Sequence, residues 1–189
     1  SYYIEVLTDA LAREAWRLMQ EVESAGGFRK AWADGTISAA IARSRTNKEA
    51  AVSSRRRTIV GTNQYPDAQD RALERLAREP EDRITPRAAE VFEEIRLRTE
   101  RHAAAGGRVP VFLLMEIGNP VMRSARSNFS ANLFRCAGFD VRIETFADAA
   151  AAAERAAAEG ADAVVLCSSD EEYPEIARVV CPRARVPVI

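Results

Sequence analysis

The feature that most constrains this chain is a change of rhythm at Gly106-Gly107. Beyond it, short apolar runs alternate with amphipathic stretches, a pattern that a parallel sheet with helical crossovers satisfies. Val109 to Met115 is nearly continuous in apolar residues, as a strand covered on both faces requires. Asn119-Pro120 then reads as a cap and first helical position, with Met122, Ala125, Phe129 and Leu133 as the expected buried stripe and Gly138 as terminator. Phe139 to Ile143 is a second strand, Ala147 to Ala161 an alanine-rich helix, Ala163 to Cys167 a third strand and Asp170 to Val180 a third helix. Arg185 to Ile189 starts a fourth strand. Three βα units predict a doubly wound parallel sheet, whose ligands sit at the carboxyl ends of the strands. The loops that matter are therefore Glu116 to Pro120, Thr145 to Asp148 and Ser168 to Tyr173.

Before Gly106 the pattern is helical and charged. Leu11, Ala15, Leu18, Met19 and Val22 form an amphipathic stripe that stops at Gly26-Gly27. Thr36 is expected to cap a second helix carrying Ile37, Ala40 and Ile41, which runs toward Arg55-Arg56-Arg57. Thr58-Ile59-Val60 is a short apolar piece ending at Gly61, followed by turns around Asn63, Tyr65, Pro66 and Asp67. Residues 67–83 read as a surface linker with some helix, anchored by Leu73 and Leu76. Thr85-Pro86 opens a further helix that buries Ala88, Val91, Phe92 and Ile95. Ser1 is not Met, and Ile189 lies within an apolar run, so both ends are expected to continue in a longer chain.

Composition removes whole classes of function. With 27 Lys+Arg against 28 Asp+Glu, the chain lacks the basic excess on which nucleic-acid affinity rests. No apolar run reaches membrane-spanning length, and no leader-like start is visible; a cytoplasmic protein is expected. Cys136, Cys167 and Cys181 are odd in number and lack CxxC spacing; each is expected to be a small buried residue. His102 is the single histidine. The first loop holds only Gly118 where a dinucleotide site needs GxGxxG. A phosphoryl-receiver site needs an acidic pair after the first strand and an aspartate ending the third, but Glu116 stands alone and Asp170 comes two positions late. Arg55-Arg56-Arg57 could hold a coenzyme A phosphate but reads better as a solvated helix end. Trp16 and Trp32 are expected in packing or at an interface. Asn128-Phe-Ser130 matches a glycosylation acceptor but falls inside a helix, and is discarded.

Gly107-Arg-Val-Pro-Val-Phe-Leu-Leu-Met-Glu-Ile-Gly-Asn119, followed by Ala125-Arg-Ser-Asn-Phe-Ser-Ala-Asn-Leu-Phe-Arg-Cys-Ala-Gly-Phe-Asp-Val141, resembles the cobalamin-binding domain of methylmalonyl-CoA mutases, and more narrowly that of their small, or beta, subunits. Upstream, Ser1-Tyr-Tyr-Ile-Glu5, Leu7-Thr-Asp9, Glu14-Ala-Trp16 and Ile59-Val-Gly-Thr-Asn63 resemble the closing part of that family's catalytic barrel. The resemblance implies an α/β chain: the helical remnant of a (β/α)8 barrel end over residues 1–66, a linker with helix over 67–107, and a flavodoxin-like or Rossmann-like doubly wound parallel sheet of the cobalamin-binding type over 108–189, truncated at its C-terminal end.

The resemblance also implies a departure. Cobalamin-binding mutases carry Asp-x-His-x-x-Gly after the first strand, the histidine ligating cobalt and the aspartate orienting it. Aligned on Gly118, those positions hold Pro120, Met122 and Ala125. Proline cannot accept a hydrogen bond through its side chain, thioether sulfur is a poor substitute for imidazole, and Ala125 adds a methyl where the glycine leaves room. No cofactor is therefore expected on this chain; Met122 reads as a core residue of its helix, and His102 lies too far away to substitute. Ser168 and Ser169 match hydroxyl residues that meet the cofactor tail in relatives, but equally suit a helix cap before Asp170, Glu171 and Glu172. The implied function is that of a non-catalytic small subunit of a heterodimeric mutase interconverting methylmalonyl-CoA and succinyl-CoA, with adenosylcobalamin and substrate in the large subunit. The alternative is a stand-alone corrinoid-binding module without a histidine ligand.

Overall fold

The computed structural model describes residues 1–71, 87–158 and 160–189. The expected anchors Leu73 and Leu76, the helix start at Thr85-Pro86 and Glu159 of the alanine-rich helix lie outside the described residues. The described chain divides into two compact units, Ser1–Ala51 and Val52–Ile189.

The first unit is helical: α1 spans Tyr2–Ser24, α2 Phe28–Ala33, and α3 Thr36–Ser53, whose last turn enters the second unit. α1 stops where its sequence says it should. The amides of Gly27 and Gly26 return to the carbonyls of Val22 and Glu23, both at 3.0 Å, and positive φ at both glycines makes that reversal possible. The amphipathic stripe forms, yet α1 buries no residue: Leu11, Leu18 and Met19 are all exposed. Trp16 and Trp32 are exposed as well, although Trp32 stacks on Phe28 with ring centroids 5.9 Å apart. Thr36 is the first residue of α3 rather than its cap. The Asp34 carboxylate accepts from the Thr36 amide at 3.1 Å and from its hydroxyl at 2.7 Å.

The second unit carries the sheet. Its elements are α4 (Glu90–Ala104), β1 (Val111–Glu116), α5 (Pro120–Cys136), β2 (Asp140–Thr145), α6 (Ala149–Ala157), β3 (Ala163–Cys167) and α7 (Tyr173–Val180). Among the described residues the strands are all parallel, in the order β2-β1-β3. The last residues extend the sheet beyond β3: Val164 donates to the Pro187 carbonyl at 3.0 Å, and Leu166 to that of Ile189 at 2.9 Å. The expected fourth strand, Arg185 to Ile189, is present only as an isolated parallel bridge between Val164 and Val188.

β1 is apolar as far as Met115 because alternate residues enter different cores. Leu113 and Met115 join Ala152, Ala153, Val164, Leu166, Ile176 and Val180 beneath α6 and α7. Leu114 joins Val165, Cys167 and Ala131 beneath α5, beside Phe112, whose ring stacks on Phe134 at 4.3 Å and on Phe139 at 5.0 Å. Helices thus cover both faces, as a doubly wound sheet requires. α4 is tied to this body by the Thr99 hydroxyl, which donates to the Ala137 carbonyl at 2.7 Å.

One stripe departs from expectation. α5 buries Ser127, Ala131 and Cys136, while Phe129 and Leu133 are exposed, Ala125 is exposed and Met122 is only half-buried. Ser127 and Ala131 lie two positions on from Ala125 and Phe129, so the buried face is turned by roughly 160°, and polar groups at the carboxyl end of the sheet draw Arg123 and Ser127 inward. The Arg123 guanidinium donates to the Gly118 carbonyl at 3.3 Å, and the Ser127 hydroxyl donates to Glu116.

Phe129 faces a different neighbour. The Arg55 guanidinium lies 5.0 Å from its ring centroid and also donates to the Asn63 carbonyl at 3.1 Å and to Asn132 Oδ1 at 3.2 Å. Arg55 is therefore not a solvated helix end; Arg56 and Arg57 are exposed. Asn63, 0% exposed, fixes this loop from within: its amide donates to the carbonyls of Val52 (2.8 Å) and Arg57 (2.9 Å), and its oxygen accepts from the Ile59 amide (2.8 Å). Cys136 and Cys167 are buried as expected, but Cys181 is exposed, since it lies just past the end of α7.

Candidate functional site

The three loops singled out in the sequence do converge at the carboxyl edge of the sheet. The Ile117 amide donates to the Cys167 carbonyl at 3.1 Å, and the Phe146 amide to the Glu116 carbonyl at 2.9 Å. Glu116 ends β1 and is held on both sides, accepting from the Ser127 hydroxyl on α5 and from the Thr145 hydroxyl at 3.0 Å. It is a strut between two elements rather than half of an acidic pair. Asp170 points elsewhere and pairs with Arg126 at 2.8 Å.

Asn119 caps α5 as expected, its Oδ1 accepting from the amides of Val121 (3.0 Å) and Met122 (3.2 Å), with Pro120 in the first turn. Just ahead, Gly118 has φ +75, a left-handed conformation, and a methyl built on it would collide with the Glu172 carboxylate. Pro120, Met122 and Ala125 follow one another on α5: a first-turn ring, a half-buried thioether and an exposed methyl. Met122 is thus not the core residue expected.

His102 is on α4, exposed, with its imidazole against Gly107. Gly107 precedes the amino end of β1, whereas the loop holding Pro120 leaves its carboxyl end. Six strand residues at ~3.3 Å each put roughly 20 Å between the two ends. Among the described residues no group of three His, Cys, Asp or Glu is placed to hold a metal ion.

Ser168 and Ser169 are buried, at 0% and 6% exposure. Neither caps α7 through its hydroxyl. Both hydroxyls donate to Glu172 Oε2, at 2.7 and 2.8 Å, and Ser168 also reaches the Ile117 carbonyl at 2.8 Å. The same carboxylate oxygen accepts from the amides of Asn119 at 3.1 Å and Ser169 at 3.3 Å. These donors, led by the Ser168 hydroxyl and the Asn119 amide, hold the Glu172 carboxyl down at about 2. Glu172 is the site residue that sequence reasoning missed. Its one sequence signal is the spacing Ser169-x-x-Glu172, in which a glutamate returns to the amide three residues back. Beneath the serines, burial and the Glu116 charge push the Cys167 thiol up to about 11, which leaves it protonated.

A cavity of about 780 Å³ lies at the opposite end of the sheet, along α4 and the start of β2, lined by Arg96, Thr99, Glu100, Arg135, Phe139 and Asp140 among others. No helix of the described residues is long and apolar enough to cross a membrane.

Comparison with known proteins places this architecture. Residues 1–108 match the family model described as methylmalonyl-CoA mutase. The methylmalonyl-CoA mutase small subunit of Porphyromonas gingivalis is 41% identical over 94% of this chain and 30% of its own length. That of Streptomyces virginiae is 36% identical over 95% of this chain and 30% of its own. A methylmalonyl-CoA mutase of Cereibacter sphaeroides is 37% identical over 56% of this chain. The chain spans about 30% of the small subunits it matches. The family model covers the helical half, and the small-subunit likeness runs on through the parallel sheet to cover nearly all of the chain, so this chain belongs to the methylmalonyl-CoA mutase family.

Proposed function

We propose that this chain is the C-terminal part of the small subunit of a heterodimeric, adenosylcobalamin-dependent methylmalonyl-CoA mutase, and that its role is assembly and stabilisation rather than catalysis. The large subunit then holds cofactor and substrate for the interconversion of methylmalonyl-CoA and succinyl-CoA. The likeness to proteins named as small subunits over 94% of the chain supports the subunit assignment. The radical rearrangement belongs to the cofactor, and no step of it is assigned to a residue of this chain.

The observation that carries the non-catalytic reading is the position of the only histidine. Cobalt ligation of the family's kind needs an imidazole in the loop or first turn after β1, oriented by a hydrogen-bonded partner. That turn offers Pro120 and Met122, while His102 packs on Gly107 at the other end of the strand. The residues present do not fit the group. The helical segment supports the assembly role. A barrel closes only with all eight strands, so α1, with its stripe exposed, needs a surface supplied by the rest of a barrel.

The test is co-expression of the full-length chain with a large mutase subunit, followed by corrinoid analysis of the purified complex. One corrinoid per pair of chains, lost when the large subunit is omitted, is the expected result. Two per pair, or retention by the small chain alone, refutes it and favours a corrinoid-binding module.

A further inference from the structure

In the strand order β2-β1-β3, the chain leaves β1 toward one neighbour and returns as β3 on the other side. At such a switch point the loops after the two strands part, and the crevice between them is where open α/β sheets take their ligands. Here the crevice between the β1 and β3 loops is spanned by a side chain of the protein itself. Glu172 starts from the β3 side and accepts from Ser168 and Ser169 there, then reaches across to the Asn119 amide and packs on the bare Cα of Gly118. Two hydroxyls and two amides converge on one carboxylate oxygen, a donor set of the kind that suits any anionic oxygen.

We infer that Glu172 is an internal occupant of this crevice, closing the domain to a corrinoid's nucleotide tail independently of the missing imidazole. The inference rests on the non-binding reading above and adds a second barrier to it. The two barriers sit on different elements: Pro120, Met122 and Ala125 lie on α5, whereas Glu172 comes from the loop after β3. Rebuilding the cobalt-ligating motif alone therefore leaves the tail without a place. Opening the crevice alone leaves the metal without a ligand. Only both changes together restore a site.

The experiment measures hydroxocobalamin retention by equilibrium dialysis and by visible spectrum, on the full-length chain purified without a partner. Four proteins are compared: the native chain, the triple variant Pro120→Asp/Met122→His/Ala125→Gly, that variant with Glu172→Ala, and that variant with Glu172→Gln. The Glu172→Ala combination should bind at least about tenfold more tightly than the triple variant, the equivalent of one good charge-assisted hydrogen-bond set regained. The Glu172→Gln combination should stay with the triple variant, because the amide fills the same space. Equal binding by the triple and the Glu172→Ala combination overturns the inference while leaving the missing-imidazole reading intact. So does a folded Glu172→Ala combination that binds nothing. Binding by the native chain refutes the earlier reading instead. Hydrogen exchange on the single Glu172→Ala variant decides the matter if the combinations do not fold: the Asn119 and Ser169 amides should exchange about tenfold or more faster, and unchanged protection overturns the inference.

Discussion

Asn63→Ala is the substitution whose cost can best be worked from the structure. The side chain is 0% exposed and makes three hydrogen bonds, at 2.8, 2.9 and 2.8 Å, to the backbone of Val52, Arg57 and Ile59. Each such bond contributes ~0.5–1.5 kcal/mol net, and a buried group stripped of its partner loses more than the bond itself. Three bonds give about 2–4 kcal/mol, with the middle of that range expected because the Val52 carbonyl keeps a second donor, the Arg55 amide at 3.1 Å. A small volume term adds to this, since the amide leaves a cavity. The loop it holds carries Arg55, whose guanidinium reaches Asn132 and Phe129 on α5, so loosening it should also weaken that contact. Urea unfolding monitored by circular dichroism gives the number, with Gln64→Ala as the control, since the Gln64 side chain makes only a long 3.4 Å contact with Thr58. The control should stay within ~0.5 kcal/mol of the parent, as surface changes do. A loss below ~1 kcal/mol for Asn63→Ala, inside the value of a single net bond, would refute the reasoning, because it would mean the loop re-pairs its backbone without the side chain.

Three other outcomes follow from the carboxyl edge of the sheet and the cysteines. Glu172 titrates near 2 in the fold against an unperturbed 4.5, so its ionised form stabilises the native state; that contribution is complete above about 4.5 and is lost as pH falls toward 2. Glu172→Gln should flatten the urea midpoint across that window, and an unchanged slope would show that the carboxylate is not held. Gly118→Ala should destabilise by ~1–2 kcal/mol from the left-handed backbone alone, and by more where the Glu172 carboxylate is displaced; in a Glu172→Ala background only the backbone part should remain, and a purely additive double-mutant cycle would contradict the contact. Iodoacetamide should label Cys181 in the folded protein while sparing buried Cys136 and Cys167, read by mass spectrometry; native labelling of Cys167, with its thiol pushed up to about 11, would contradict its burial.

The elements that were legible in the sequence are those whose signal is local. β3 spans Ala163–Cys167 as read, because a five-residue apolar run bounded by turn residues has few alternatives. The cap at Asn119 and the stops at Gly26 and Gly138 are backbone chemistry that needs only near neighbours. The α5 stripe was not legible for the opposite reason. Hydrophobic periodicity assumes that the buried face is the apolar one, and here Ser127 and Arg123 turn inward to satisfy Glu116 and Gly118, while Phe129 is left to Arg55, 74 positions away in sequence (129 − 55). A loop contact of that range leaves no periodic trace. The stripe on α1 shows a different limit: the pattern specifies a face and the helix forms, but none of the described residues buries it.

The site divides along the same line. The expectation that Pro120, Met122 and Ala125 stand at the positions of a ligating motif concerns residue types and could be read from the sequence. What occupies the crevice depends on a side chain crossing between two loops whose Gly118 and Glu172 lie 54 positions apart (172 − 118), and sequence reasoning gave those charges only a local role at a helix start. The two serines were ambiguous for the same reason, since a hydroxyl is both donor and acceptor. A capping serine accepts from a backbone amide, whereas these donate to a carboxylate, and only the partner decides. On the reading proposed above, the missing imidazole leaves a cobalt ion without a ligand. It does not explain why Gly118 keeps a left-handed turn with no room for a methyl, and the packing of Glu172 against it does. Gly118 lies against a carboxylate from the next loop, so on the inference drawn above the donors of this crevice are met from within the chain.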